Sequence, residues 1–175
     1  MKIMILSDSH SMTKQTLLNF INQHPADYYI HCGDIYMPYS PLEIDNFYNV
    51  RGNNDFADIP KDLTLTIDGL NFFICHGHLF HIDESMYNLE QYALNHKIDV
   101  VCFGHSHNPT CYKKENTLFI NPGSVTFPRG NYPHPTYCVF ETTNQEVTFY
   151  DLKTDSPCNP FKKIKKESFF KRFFK

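Results

Sequence analysis

Gly104-His105-Ser106-His107 directly follows the apolar run Val100-Val101-Cys102-Phe103. A run of this kind reads as a buried strand, and two histidines at i and i+2 beyond its end can be turned by the loop toward one point. One His-x-His pair is weak by itself, since surface loops produce it too. Other strand-like runs in the chain end in the same way. Ile3-Met4-Ile5-Leu6 runs into Ser7-Asp8-Ser9-His10, and Tyr28-Tyr29-Ile30-His31 into Cys32-Gly33-Asp34. Tyr48-Asn49-Val50 meets Arg51-Gly52-Asn53-Asn54-Asp55, and Phe72-Phe73-Ile74-Cys75 meets His76-Gly77-His78. Asp, His and Asn at several strand ends, each beside a small residue, point to one metal site at one edge of a sheet.

The elements around these junctions start as alternating strand and helix and finish as hairpins, which is an α/β pattern. Strands are expected at 2–7, 28–32, 46–50, 62–67, 70–75, 99–103, 117–120, 136–142 and 146–152. A helix is expected over 12–23, where Leu17, Phe20 and Ile21 share helical spacing, Ser11 is the candidate N-cap and Pro25 the stop. A second is expected over 85–96, with Met86, Leu89 and Ala93 on one stripe. Asp68-Gly69 is a two-residue hairpin signal between alternating runs. Residues 33–45 contain Pro38 and Pro41 without a clear period and read as loop, with a short helix as the alternative. The expected division is one domain over 1–153, then a linker and a basic Phe-rich tail over 154–175.

Composition bounds the classes. The 175 residues can bury one real core, and no run approaches the ~18 apolar residues of a membrane span. The apolar N-terminus is broken by Asp8 and His10 too early for a signal peptide, so a cytoplasmic protein is expected. The six cysteines form no Cys-x-x-Cys pair. They read as free thiols, with Cys32, Cys75 and Cys102 acting as small apolar residues in or beside strands. The formal net charge of −3 hides an asymmetry. The last fourteen residues hold seven basic side chains against Glu167, a net of +6, which leaves −9 on residues 1–161.

The candidate ligands are Asp8, His10, Asp34, Asn53, His76, His105 and His107. Oxygen and imidazole donors without thiolate suit Mn, Fe, Ni or Zn. Seven are too many for one tetrahedral zinc but suit two metals that share a carboxylate. Two dications against Asp8 and Asp34 leave about +2, a charge that attracts phosphate. Two metals ~3.5–4 Å apart can lower the pKa of a bridging water and clamp both oxygens of an in-line displacement.

Asp8-x-His10, Gly33-Asp34, Gly52-Asn53-x-Asp55, His76-Gly77-His78 and Gly104-His105-x-His107 occur in the order found in the calcineurin-like metallophosphoesterases. The chain resembles most their small YfcE-like phosphodiesterase branch, to which the retromer subunit Vps29 is related, and Asn121-Pro122-Gly123-Ser124 is a further match. The motifs span roughly residues 3–125. The resemblance implies a two-sheet β-sandwich flanked by helices, with two divalent metals, manganese first, at the strand ends. It implies that Asp8, His10 and His107 hold one metal, that Asn53, His76 and His105 hold the other, and that Asp34 bridges. A bridging hydroxide would then attack phosphorus directly, and Asp34, Asn53, Asp55 and His105 would form the catalytic set. The implied substrate is a small phosphodiester or nucleotide, with self-association as in relatives. The alternative is a Vps29-like scaffold that binds partners, although a scaffold has no reason to keep all seven ligands.

Two positions depart from the wider superfamily. Asn54 stands where many members have a His that protonates the leaving group, and an amide cannot do so at neutral pH. Met37 stands where the second Asp of Gly-Asp-x-x-Asp is common. Asn54, His78 and Arg129 are the candidate substrate contacts. His24, His31, His81, His96 and His134 read as structural or solvated, and Phe127 as core or rim. In Ser168–Lys175 the four Phe occupy one arc of a helical wheel with the cations opposite. That tail reads either as a frayed terminus or as a contact for an anionic membrane, a partner or nucleic acid.

Overall fold

A computed structural model describes residues 1–35 and 44–162. Its strands are β1 (Lys2–Leu6), β2 (Tyr28–His31), β3 (Phe47–Asn49), β4 (Asp62–Ile67), β5 (Leu70–Cys75), β6 (Val100–Cys102), β7 (Thr110–Lys114), β8 (Thr117–Asn121), β9 (Thr136–Glu141), β10 (Glu146–Asp151) and β11 (Ser156–Cys158). Helix α1 covers Lys14–Gln23 and α2 covers Tyr87–Asn95. One sheet has the order β11-β10-β9-β1-β2-β3 and the other β4-β5-β6-β8-β7.

The alternation of side chains along each strand explains the layering. Ile3 and Ile5 of β1, Phe72 and Ile74 of β5, Val100 and Cys102 of β6, and Cys138 and Phe140 of β9 meet in the core between the sheets. The intervening Met4, Leu6, Tyr137 and Val139 face outward, where Leu17 and Ile21 of α1 cover them. Phe73, Cys75 and Val101 likewise meet Leu89 and Ala93 of α2. Strands buried on both faces need apolar residues at every position, which is why these runs are continuous. The result is a four-layer α/β sandwich, the architecture implied by the resemblance.

Strand direction decides where the polar residues emerge. β1, β2 and β3 are mutually parallel, and so are β5, β6 and β8. Their C-terminal ends gather Asp8, His10, Asp34, Asn53, His76, His105 and His107 at one rim.

Several boundaries differ from the sequence expectation. α1 starts later, capped by Thr13, whose hydroxyl accepts the Thr16 N–H at 3.1 Å, rather than by Ser11. β7 was not expected. It is an edge strand with Lys113 and Lys114 exposed, the polar composition that protects sheet edges from further pairing. Ser156–Cys158, inside the expected linker, pairs with β10 as another edge strand; Pro157 is tolerated there because an edge needs fewer donors. The Asp68-Gly69 turn forms as expected, both residues having positive φ (51° and 78°). All six cysteines are free, and burial pushes the thiols of Cys32, Cys75, Cys102 and Cys138 up, so they stay protonated. The expected tail contact at 163–175 and the position of Met37 lie outside the described residues.

Candidate metal centre

Two loops bring the strand ends together, and both depend on missing side chains. A Cβ on Gly52 would lie 2.0 Å from Asp34 Oδ1, and one on Gly104 would lie 2.0 Å from Ser7 Oγ and 2.9 Å from Asp8 Oδ2. Only glycine allows these approaches. Five of the seven donors sit in positive-φ backbone: φ is 55° at Asp8, 29° at His10, 53° at Asp34, 66° at His105 and 57° at His107. Such residues cost of order 1–3 kcal/mol each and cluster where a site is pre-organised.

The ring nitrogens are aimed by bonds on their far sides. His76 Nδ1 is 2.7 Å from the Cys32 carbonyl oxygen, and His107 Nδ1 is 2.8 Å from that of Phe127. Each donates there and leaves Nε2 free to face inward, the arrangement usual for metal-binding histidines. His107 Nε2 lies 3.1 Å from Asp8 Oδ1 and 3.3 Å from His10 Nε2. Asp34 Oδ2 lies between His10 Nε2 at 3.6 Å and His76 Nε2 at 3.5 Å. His76 Nε2 is also 3.1 Å from Asn53 Oδ1. Donor atoms of Asp8, His10 and His107 fall within 4.8 Å of one another, and so do those of Asp8, Asp34 and His76. Each group draws on both sheets.

His105 is placed differently. Its Nε2 is 2.7 Å from Asp83 Oδ2, so only Nδ1 is left for a ligand. Its ring lies 5.1 Å from that of His76. Asp83 had no signal in the sequence. It reaches the site because the chain turns at Gly77 (φ 110°), where Ile82 packs so closely that a Cβ would meet it at 2.6 Å.

The remaining candidates divide. Asn54 donates twice to Asp34, from its backbone N–H to Oδ1 at 2.8 Å and from Nδ2 to Oδ2 at 2.6 Å. Asp55 is buried and turned inward, its Oδ2 accepting the N–H groups of Asp34 and Gly52 at 2.8 Å each. His78 is half-buried, its ring 5.4 Å from that of His76, and its Nδ1 is buried without a hydrogen-bond partner. Arg129 is exposed and lines a cleft of about 270 Å³ with His10, Asp34, Asn54, His105 and His107. His31 is fully buried against Ser9 Oγ at 3.1 Å, and burial pushes its pKa down to about 4.

The electrostatics are those of a donor pocket. Burial pulls the His76 and His107 imidazoles down, but the neighbouring Asp34 and Asp8 carboxylates outweigh it and both pKa values rise. At His10 burial prevails over Asp34 and Asp8, and the pKa falls. Burial raises Asp34, yet His76 and the two Asn54 donors hold its carboxyl well below the usual range. Asp8 Oδ1 is buried and receives no aligned donor, although three imidazole Nε2 atoms surround it at 3.1–3.9 Å. A bare buried carboxylate oxygen is costly, and nitrogen and oxygen donors crowded around it without aligned hydrogen bonds fit a divalent cation of the Mn, Fe, Ni or Zn kind.

A parallel-strand rim carrying this donor set, on this four-layer sandwich, defines a protein of the metallophosphoesterase class. Residues 1–145 match the calcineurin-like phosphoesterase superfamily domain; the chain belongs to that family. The probable metallophosphoesterase YsnB of Bacillus subtilis is 35% identical over 156 residues, covering 86% of this chain and 91% of that protein. Phosphodiesterase YfcE of Escherichia coli is 29% identical over 162 residues, covering 76% and 84%. Among solved structures, a predicted phosphoesterase of Streptococcus pneumoniae superposes with a TM-score of 0.79 at 29% identity, covering 86% of this chain and 88% of that one. Vps29 of Entamoeba histolytica, solved with zinc, shares the fold with a TM-score of 0.68 at 19% identity, covering 90% and 96%.

Proposed function

We propose that the chain is a dinuclear metal-dependent phosphodiesterase acting on a small phosphodiester or nucleotide. The observation that carries the reading is the convergence of three imidazole Nε2 atoms on the undonated Asp8 Oδ1. In this reading Asp8, His10 and His107 hold one ion, and Asn53, His76 and His105 hold the second, His105 through Nδ1. The bridging role of Asp34 is supported by its Oδ2, which lies nearly equidistant from His10 and His76. Manganese is the proposed metal, with zinc, iron and nickel compatible with the same donors.

Two such ions, when bound, supply Lewis acidity toward phosphoryl oxygens and lower the pKa of water. The chain does the rest. Asn54 fixes the orientation of Asp34, and Asp55 fixes the backbone on which Asp34 and Gly52 sit, an orienting role rather than contact with substrate. Arg129 extends into the cleft as a partner for an anionic phosphoryl oxygen. His78 stands within the histidine cluster, where burial and the nearby His76 and His105 lower its pKa. A partner-binding scaffold, as the Vps29 likeness of fold allows, is the alternative, but it would not need seven converging donors. Among the described residues no helix is long and apolar enough to cross a membrane; a cytoplasmic setting, self-association and an anionic-surface contact by the tail remain parts of the proposal.

The test is a Mn-supplemented screen over phosphodiesters, cyclic nucleotides and monoesters, with metal content measured in parallel. Diester hydrolysis that is lost on chelation and restored by Mn is the expected result. Protein that carries metal and turns over none of these compounds would refute the enzymatic reading.

A further inference from the structure

The cleft over the donor cluster continues into a second lobe of about 290 Å³ bounded by His10, Ser11, Asn54 and Phe127. The two lobes differ in chemistry. The first contains the inward-facing donors and Arg129 and is mostly polar, and Phe127 stands on the border, lining both lobes. The second has no cation on its described lining, its surface is mostly apolar, and Phe127 is its one hydrocarbon side chain beside His10, Ser11 and Asn54. The Asn54 amide nitrogen is committed to Asp34, which leaves the Ser11 hydroxyl and the His10 imidazole as the lobe's polar groups.

Phe127 is 52% exposed, yet nothing about its backbone is loose. Its N–H donates to Ser124 Oγ at 2.8 Å, its carbonyl accepts from His107 Nδ1 at 2.8 Å, and two residues on the Arg129 N–H donates to the His107 carbonyl at 3.0 Å. Its ring stands 5.4 Å from that of His10 at an interplanar angle of 54°. The same short loop therefore aims a candidate ligand, holds an apolar ring where the two lobes meet and supplies Arg129 to the donor-lined lobe. A phenyl ring held half-bare beside a phosphate-attracting site is an unfilled stacking surface.

We propose that this second lobe is a subsite for an uncharged planar aromatic group, an aryl ring or nucleobase, attached to the phosphoryl centre. The proposal rests on the phosphodiesterase reading and narrows its substrate class. The lobe takes one ring system lying against Phe127, while the phosphoryl group occupies the donor-lined lobe beside Arg129. Stacking of a base on an aromatic side chain is worth ~1–3 kcal/mol, so an aromatic arm should gain about tenfold in affinity over a methyl arm.

The experiment uses ligands without a leaving group, so that leaving-group chemistry cannot enter. Methyl-, cyclohexyl- and phenylphosphonate are titrated into Mn-loaded full-length protein by calorimetry. The parent should bind phenylphosphonate about tenfold more tightly than methylphosphonate, with cyclohexylphosphonate between them. Phe127→Ala should bind phenyl- and methylphosphonate alike, and Phe127→Tyr should restore the preference. Equal binding of all three by the parent, or an intact preference in Phe127→Ala, would overturn the subsite. Failure of every phosphonate to bind, together with absent diester turnover by the parent, would overturn the phosphodiesterase reading and the subsite with it. Turnover without aromatic preference overturns the subsite alone.

Discussion

Replacing Asn54 by Ala isolates one contact. The substitution removes the Nδ2 donor that reaches Asp34 Oδ2 at 2.6 Å but keeps the backbone N–H that reaches Oδ1 at 2.8 Å. A hydrogen bond to a charged group contributes about 1.5–3 kcal/mol, which is roughly 10- to 150-fold in an equilibrium constant. Asp34 is the proposed bridge, so the loss should be read in metal affinity. Groups that orient metal ligands typically contribute about 10–100-fold, and the two routes agree. Asn54 is exposed, so the metal-free fold should lose little. The assay is calorimetric titration of metal-stripped protein with Mn, paired with thermal melts in chelator. Weaker Mn binding in Asn54→Ala with a nearly unchanged metal-free melt is the expected result. Parent-like affinity would show that Asp34 needs no second donor, and the positioning argument for Asn54 would fail.

Asp34→Asn should weaken both metals together, with metal content and turnover falling in parallel; two tightly held metals and full activity would contradict the bridging assignment. Because Asn54 cannot donate a proton as an acid, rates on diesters with graded leaving groups should fall steeply as leaving-group pKa rises, and Asn54→His should flatten the series. A flat series in the parent would point to another donor, His78 first. Asp151 is buried and accepts from Tyr132, His134 and the N–H groups of Lys153 and Thr154. Burial raises its pKa, but these partners depress it overall, so its stabilisation is present above the unfolded value of ~3.9 and lost as pH falls through the lower folded value. Asp151→Asn should therefore flatten the acid limb of a circular-dichroism pH titration, and parallel limbs would exclude that role. Ending the chain after Lys162 should leave folding and turnover on a soluble diester intact while reducing salt-sensitive binding to anionic vesicles. A shorter chain ending at Asn159 would lose the buried Pro160 and the Phe161 ring packed 5.3 Å from Phe149.

The sequence displayed what burial on two faces forces. Runs such as Ile3–Leu6 and Phe72–Cys75 must be apolar at every position, and the polar residues that come after them stand out. That is why the seven donor candidates were legible and why they meet at one rim. β7 and β11 were hidden for the opposite reason: an edge strand is half-solvated, and Lys113, Lys114 and Pro157 suit an edge while resembling a loop. Asp83 was hidden because its meeting with His105 depends on the turn at Gly77 and on Ile82 packing, neither of which has a periodic signature. Asn54 was visible as a departure from a family pattern, but the sequence could not show that its amide faces Asp34. Phe127 read as core or rim because loop exposure is a property of the three-dimensional path.

Each candidate metal group takes ligands from both sheets, and this bears on how the chain can be divided. A cut in the largely exposed Phe56–Lys61 connection would leave Asp8, His10, Asp34 and Asn53 on one fragment and His76, His105 and His107 on the other. Neither fragment could then complete a cation's coordination by itself. The pieces share the apolar core and the β1–β9 pairing, and divalent metal should tighten their reassembly by the mass-action coupling that ties binding to the assembled state. The rim would serve as the latch of a split protein, tightened by a divalent cation and loosened by a chelator.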